Sequence, residues 1–219
     1  MCFSAGASFG ASAVLGTLGI VTLRKTKTTD QIPFAAIPLL FGAQQVAEGV
    51  LWVGFSGNVN ESWKHFPVYI FLIFAQLIWP VWVPFSVLRL EENRGRRKII
   101  KVILGAGACI SLYLAYCISV YEVKAEIHSG HIMYMLDFPK DFMWVTSIFY
   151  FIPTVGSLFI SSNRKIQLLG VGVLASFLLS KIYFAEHLIS VWCFFAAIIS
   201  MVILWIISKL NNAVPHRSG

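Results

Sequence analysis

The sequence predicts an all-α integral membrane protein, a bundle of seven transmembrane helices with its N-terminus outside and its C-terminus in the cytoplasm. Of its 219 residues, 58% are hydrophobic and only 12% are charged, whereas soluble domains carry about 25% charged residues. Seven apolar stretches have the length of about 20 residues that a helix needs to cross a bilayer. Basic residues collect in alternate connections between these stretches, which sets the orientation.

The seven helices are predicted to form a single domain over residues 1–219, without a soluble domain. Five of the stretches contain no Asp, Glu, Lys or Arg, whereas the second contains Glu48 and the sixth contains Lys181. The predicted helices cover residues 4–23, 33–55, 66–88, 102–121, 142–160, 166–185 and 188–208.

Small residues and prolines distinguish two of these helices. The first helix is rich in Gly, Ala and Ser, and its Gly6 and Gly10 form a GxxxG pattern. Such residues let helix backbones approach closely, so we expect a tightly packed central helix. Pro80 and Pro84 predict a kink in the inner half of the third helix, with the freed carbonyls satisfied by buried neighbours.

The basic residues indicate orientation rather than nucleic-acid binding. The net charge is +7, and 13 of the 17 Lys and Arg residues lie after the first, third and fifth helices or in the C-terminal tail. The positive-inside rule places these connections in the cytoplasm. Membrane lipids are therefore the expected partners of the basic residues, and nucleic acid is excluded.

The connection at 122–140 is the only long one, and it is predicted to lie outside. Two runs of alternating apolar and polar residues flank Ser129-Gly130, a pattern typical of a β-hairpin with a two-residue turn. In that register His128 and His131 face each other, with about 5 Å between their Cβ atoms.

A carboxylate in the second helix is the strongest candidate for a functional group. Gln44, Gln45, Glu48 and Trp52 share one helix face by their spacing, and an ionisable group inside a membrane normally faces the bundle interior and has a partner. Glu48 lies about 22 Å along a core about 30 Å thick, in its outer third. Lys181 lies at a similar depth, which predicts a Glu48–Lys181 ion pair. The alternatives are a purely structural pair, or a Lys181 that extends alone to the membrane surface.

Two cysteines are expected near the level of Glu48. Cys193 lies five residues into the seventh helix, and Cys2 lies at the outer end of the first. Cys2 and Glu48 are candidate catalytic residues, and with an outer histidine they are candidate ligands of zinc or copper. His128 and His131 are the preferred histidines; His65 and His187 are the other two, although a polar residue at a helix end explains each of them more simply. The alternatives for Cys2 are inert packing or a disulfide with Cys193.

Four stretches, "MCFSAGASFGASAVLG", "PFAAIPLLFGAQQVAEGVLW", "WPVWVPFSVL" and "SVWCFFAA", together resemble a family of small bacterial integral membrane proteins that begin Met-Cys-Phe-Ser-Ala. The resemblance covers nearly the whole chain. It implies a bacterial origin and a plasma-membrane location, and it transfers no activity and no catalytic residues. The candidate site residues that lie on these stretches are Cys2, Gln44, Gln45, Glu48, Trp52, Trp79, Trp192 and Cys193.

The candidate residues predict a polar pocket in the outer half of the bundle, covered by the hairpin. One hypothesis is an enzyme or metal-binding protein, and another is a transporter, channel or receptor for a small polar solute; a scaffold with structural polar pairs is the third. Few polar residues lie in the inner half, which favours a site open to one face. The other candidate partners are an unknown small molecule and a second copy of the chain. The candidate ligand-binding residues are Gln44, Gln45, Trp52, Lys181, Trp192 and Cys193.

The orientation can be tested by cysteine labelling. In a variant whose own four cysteines are replaced by serine, Ser129→Cys should react with a membrane-impermeant maleimide in intact cells. Thr28→Cys should react only after the cells are permeabilised, because its connection is rich in basic residues. The reverse labelling pattern would contradict the predicted orientation.

Overall fold

The computed structural model describes residues 4–56, 61–128, 130–139 and 143–213, which form helices and one β-hairpin. Strands β1 (Val123–His128) and β2 (His131–Leu136) form the hairpin. The helices are α1 Ala5–Arg24, α2 Ile32–Ala35, α3 Ile37–Ser56, α4 Glu61–Leu72, α5 Trp79–Leu90, α6 Arg94–Val120, α7 Met143–Phe151, α8 Ser157–Ile160, α9 Arg164–Tyr183, α10 Leu188–Ser200 and α11 Val202–Ala213.

Several of these helices join end to end into apolar rods that identify a multi-pass membrane protein. Within the described residues, six rods are long and apolar enough to cross a membrane. They cover Ala5–Arg24, Thr29–Phe55, His65–Leu90, Arg94–Val120, Arg164–Tyr183 and Ala185–Asn211. The predicted helix at 142–160 corresponds to a shorter apolar helix, Trp144–Ile160. The seventh crossing and the orientation therefore stay predictions.

The second rod, not the first helix, lies at the centre of the bundle, so the expected central position of α1 is wrong, whereas its close packing through small residues is confirmed. In the most apolar stretch of the second rod, which contains α3, 67% of the residues are buried inside the bundle. In the corresponding stretch of α1, only 22% are buried. Gly6 and Gly10 are exposed. The close approach uses the other end of α1, where a Cβ atom on Gly19 would lie 2.7 Å from the Leu39 backbone.

Two π-helical segments lie next to or contain prolines of the bundle. Residues Ile73–Ile78, directly before Trp79-Pro80, and Ile152–Gly156 are π-helical. The segment lies near the middle of the third rod rather than in its inner half. As expected, buried neighbours bind carbonyls in this segment: the Ser111 hydroxyl donates to the Leu77 carbonyl over 2.8 Å, and the Tyr150 hydroxyl donates to the Ala75 carbonyl.

The apolar core is divided into two clusters by a polar layer on α3. Phe41 belongs to the cluster near the basic connections, and Leu51 and Trp52 belong to the cluster near the hairpin. Between Phe41 and Leu51, α3 carries Gln44 and Glu48, whose side chains are fully buried. The fold therefore places polar groups in the interior, with apolar packing above and below them.

The hairpin has the predicted position and register. His128 pairs with His131 in the antiparallel ladder. Gly130, in the turn, has φ of 77°, a conformation that glycine adopts at little cost and that a two-residue turn requires. The Tyr134 ring of β2 stacks on Phe71 of α4 with 4.7 Å between centroids, so β2 is packed on the bundle.

At the opposite end, a buried carboxylate joins two connections. Glu91 is 2% exposed and accepts hydrogen bonds from the backbone N–H and the hydroxyl of Ser162, each over 2.6 Å, and from the Asn93 N–H over 2.9 Å. Burial raises the pKa of Glu91, but these bonds and the charge of Arg96 outweigh burial and hold that pKa below the usual 4.5.

Glu91 predicts a pH-dependent contribution to stability. Because the pKa is lowered in the folded state, the stabilisation is complete above the usual pKa and is lost as the pH falls through the folded-state value. At pH 7, Glu91→Gln should lower the free energy of unfolding in detergent by about 1–3 kcal/mol. The substitution replaces one of the two accepting oxygens by an NH2 group, which cannot accept a hydrogen bond from the N–H of Ser162 or of Asn93.

The neighbouring Glu92 provides the matched control, since its side chain is exposed and Glu92→Gln should change the free energy of unfolding by less than about 0.5 kcal/mol. The difference between wild type and Glu91→Gln should shrink at pH values below 4.5. A difference that stays constant over this range would contradict the assignment.

Candidate functional site

Three polar side chains of α3 form a fully buried group. Gln44, Gln45 and Glu48 are each 0% exposed, as their shared helix face predicts. The Gln45 amide donates to Glu48 Oε2 over 3.2 Å. The predicted inward orientation of this face is therefore correct.

Two neighbouring helices supply hydrogen bonds to this group. The Ser190 hydroxyl of α10 donates to Glu48 Oε1 over 2.5 Å, and the Trp79 indole of α5 donates to Gln44 Oε1 over 2.9 Å. The Trp79 ring also stacks on Phe41, with 4.0 Å between centroids. The polar group thus connects α3 to both α5 and α10.

Part of the hydrogen-bonding capacity of this region is unused. Gln44 Nε2, Gln45 Oε1 and Trp192 Nε1 are buried and have no hydrogen-bond partner among the described residues. A buried donor or acceptor without a partner costs about 1–3 kcal/mol. These atoms are therefore positions at which a bound molecule or a water would be stabilised.

A cavity of about 60 Å³ adjoins the polar group in the middle of the bundle. Its walls are mostly apolar and aromatic, in contrast to the polar pocket that the sequence predicts. The Cys193 thiol, which lines the cavity, is adjacent to Gln44 and Glu48. The remaining lining residues are Ile37, Phe41, Trp79, Val83, Tyr150, Thr154, Leu158, Leu169, Val173, Trp192, Ala196, Ser200 and Ile203.

The predicted Glu48–Lys181 ion pair is wrong. Lys181 is exposed, and its ammonium lies 5.9 Å from the centre of the Phe177 ring on the same helix. The buried face of α9 includes Ser180, so the next residue projects about 100° away from it. Lys181 matches the alternative in which it extends along the helix surface alone, and it does not belong to the buried site.

Trp52 and Cys193, two further predicted site residues, lie in the hairpin half of the bundle. Trp52 is 6% exposed and packs in the cluster near the hairpin, to which Cys193 also belongs. Cys2 lies outside the described residues, so its predicted catalytic and metal-binding roles stay predictions.

His128 and His131 meet a third histidine, His187, directly before α10. The His131 and His187 rings stack with 4.8 Å between centroids, and those of His128 and His187 lie 6.0 Å apart. Burial lowers the pKa of His131, and the nearby His187 lowers it further. Within the described residues, however, no three His, Cys, Asp or Glu side chains are already arranged to hold a metal ion.

Sequence reasoning missed Ser190, whereas it named His187 among four outer histidines without predicting its contact with the hairpin pair. His187, Ser190 and Cys193 are spaced by three residues, which places them on one face of α10. This spacing is a signal that the sequence contains. It carries little weight alone, because serine is common in membrane helices and a histidine at a helix end is usually only a polar terminus.

The comparisons identify the family of the chain. A family model described as "Family of unknown function (DUF6629)" matches residues 1–218. The chain belongs to this family. The match of this family extends over all the helices and the hairpin described above. No curated protein and no solved structure matches the chain.

The bond from Ser190 to Glu48 predicts a specific loss of stability. Ser190→Ala removes a donor from a buried carboxyl oxygen and should lower the free energy of unfolding in detergent by about 1–3 kcal/mol. Ser119→Ala is the matched control, because Ser119 is an exposed serine bound to the carbonyl of Ala115 on its own helix.

Lys181→Met should change the free energy of unfolding by less than about 0.5 kcal/mol, since no buried partner loses its charge. Equal losses in Ser190→Ala and Ser119→Ala would contradict the role of Ser190. A large loss of stability in Lys181→Met would contradict the exposed position of Lys181 and support a Glu48–Lys181 ion pair.

Proposed function

We propose that this multi-pass membrane protein binds a small, neutral, polar molecule in the central cavity, beside Gln44 and Glu48. One observation carries this proposal. The buried indole N–H of Trp192, which lines the cavity, has no acceptor among the described residues. Polar binding groups at one end of an apolar cavity are typical of small-molecule sites.

The chemistry of the site restricts the ligand class. The indole N–H of Trp192 favours a carbonyl or hydroxyl oxygen, and the hydroxyls of Thr154 and Ser200 in the lining accept or donate a further hydrogen bond. A carboxylate is disfavoured because it would lie near Glu48 without a cation among the described residues of the cavity lining. A water needs about 10–15 Å³, so the 60 Å³ cavity suits a molecule of a few heavy atoms, such as an amide or alcohol.

The distribution of polarity favours a binding or sensing protein over a transporter. The cavity wall towards the basic connections consists of apolar side chains such as Ile37, Val83 and Ile203. A polar solute that crossed the membrane here would leave the polar group on α3 and pass mainly apolar side chains, with the hydroxyls of Ser200 and Thr154 among the polar groups of the described lining; such a crossing is costly. A site that the ligand enters and leaves on the same side of the membrane does not require that crossing.

Catalysis is the second candidate function. Glu48 is held by Ser190 and Gln45 beside a cavity that has room for water, and a positioned carboxyl group is suited to general acid–base chemistry. This candidate depends on Cys2 approaching Glu48. A bacterial plasma-membrane location and a homo-oligomer are further proposals, based on the sequence alone.

Binding can be tested with propionamide as the probe. In saturation-transfer-difference NMR on the detergent-solubilised protein, propionamide should give a signal that exceeds that of propionate. Ala196→Phe, which fills the cavity, should abolish the signal. Trp192→Phe should reduce it, because this change removes the indole donor and keeps an aromatic ring.

Ala13→Phe is the control, since Ala13 is an exposed alanine of α1 and its replacement leaves the cavity unchanged. Thermal unfolding of each variant distinguishes loss of binding from loss of the fold. Equal signals in all variants, or equal signals from propionamide and propionate, would contradict the proposed site.

A further inference from the structure

The hairpin end of the bundle assembles three imidazoles from two separate elements. His128 and His131 are cross-strand partners in the hairpin, and His187 precedes α10. The ring centroids lie 4.8 Å apart for His131 and His187, and 6.0 Å apart for His128 and His187. These residues are distant from one another in sequence apart from the hairpin pair, so only the fold brings them together.

This spacing is close to that of a three-histidine metal site. Imidazole nitrogens bind Zn²⁺ at about 2.0–2.1 Å, and in tetrahedral geometry the ring centroids of two ligands then lie about 5 Å apart. The two separations, 4.8 and 6.0 Å, bracket this value. These centroid separations therefore match a three-histidine site, whereas the stacked rings do not yet direct their nitrogens to one point.

A second observation points independently to a ligand. His187 is 7% exposed, and its Nδ1 atom is buried with no hydrogen-bond partner among the described residues. A buried ring nitrogen without a partner is costly. Coordination of a metal ion by His187 would satisfy a ring nitrogen in this buried position.

The surroundings also provide an entrance and a fourth ligand. The side chain of His128 is 55% exposed, so an ion can reach the cluster from solvent. The Glu186 carboxylate lies 3.9 Å from His128 Nε2 and is itself exposed. It can complete a tetrahedral set, or leave that position to water.

We propose that His128, His131 and His187 bind one divalent transition-metal ion, Zn²⁺ or Cu²⁺, with Glu186 or a water as the fourth ligand. The His187 ring lies at 22° to His131 and at 29° to His128, so binding requires the imidazoles to turn about χ2 until their nitrogens converge. The bound ion would fasten the hairpin to the start of α10, one helical turn from Ser190. This site is separate from the cavity and does not depend on the proposed ligand.

Calorimetry on the untagged, detergent-solubilised protein tests the proposal, with Zn²⁺ as the probe. We expect one Zn²⁺ per chain. His128→Gln, His131→Gln and His187→Gln should each weaken binding at least tenfold, whereas Glu186→Gln should weaken it less if water can replace the carboxylate. His65→Gln is the matched control, because His65 is an exposed histidine of α4 and its replacement should leave binding unchanged.

His128→Gln is the decisive variant, because an exposed side chain is not needed for folding. X-ray absorption of the Zn²⁺-loaded protein should show three imidazole nitrogens at about 2.0–2.1 Å, and Zn²⁺ should raise the melting temperature of wild type but not of the three variants. Absence of stoichiometric binding, or affinity that none of the three substitutions changes, would overturn the proposal.

Discussion

The burial of the Glu48 carboxyl group is the constraint on which the centre of the bundle depends. A carboxylate inside a membrane protein is stable only if donors replace the water it has lost. Ser190 and Gln45 provide such donors to Glu48, and the Trp79 indole donates a hydrogen bond to the neighbouring Gln44. The Glu48–Ser190 bond joins α3 to α10, and the Gln44–Trp79 bond joins α3 to α5. The cavity lies where this fixed geometry leaves space.

The two ends of the bundle are held together in different ways. At the basic end, hydrogen bonds of Asn211 join α11 to the connection after α1. The Gln31 amide donates to the Asn211 side-chain oxygen over 2.9 Å, and the Asn211 amide donates to the Lys25 carbonyl over 2.6 Å. At the other end, the hairpin packs through rings such as Tyr134 and His131. The Tyr134 and Phe71 rings stack and the His131 and Phe184 rings meet edge to face, so aromatic packing contributes to holding the hairpin on the bundle.

The sequence predicted well those features that depend on neighbouring residues. Apolar length predicted the rods that can cross a membrane, and alternation around Gly130 predicted the hairpin and its His128–His131 pair. Spacing alone also placed Gln44, Gln45 and Glu48 on one buried face. The prediction for Lys181 failed because depth along a helix does not define which face of that helix a residue occupies.

The sequence by itself thus determined a multi-pass membrane protein with a hairpin and a costly carboxyl group inside it, because hydropathy and helical or strand periodicity are local properties. Only the tertiary structure decided which groups meet. Ser190 bonds to Glu48 across 142 positions of the chain, and His187 joins the hairpin histidines. Such contacts depend on how each helix is rotated in the bundle, and that rotation results from the packing of all the helices together.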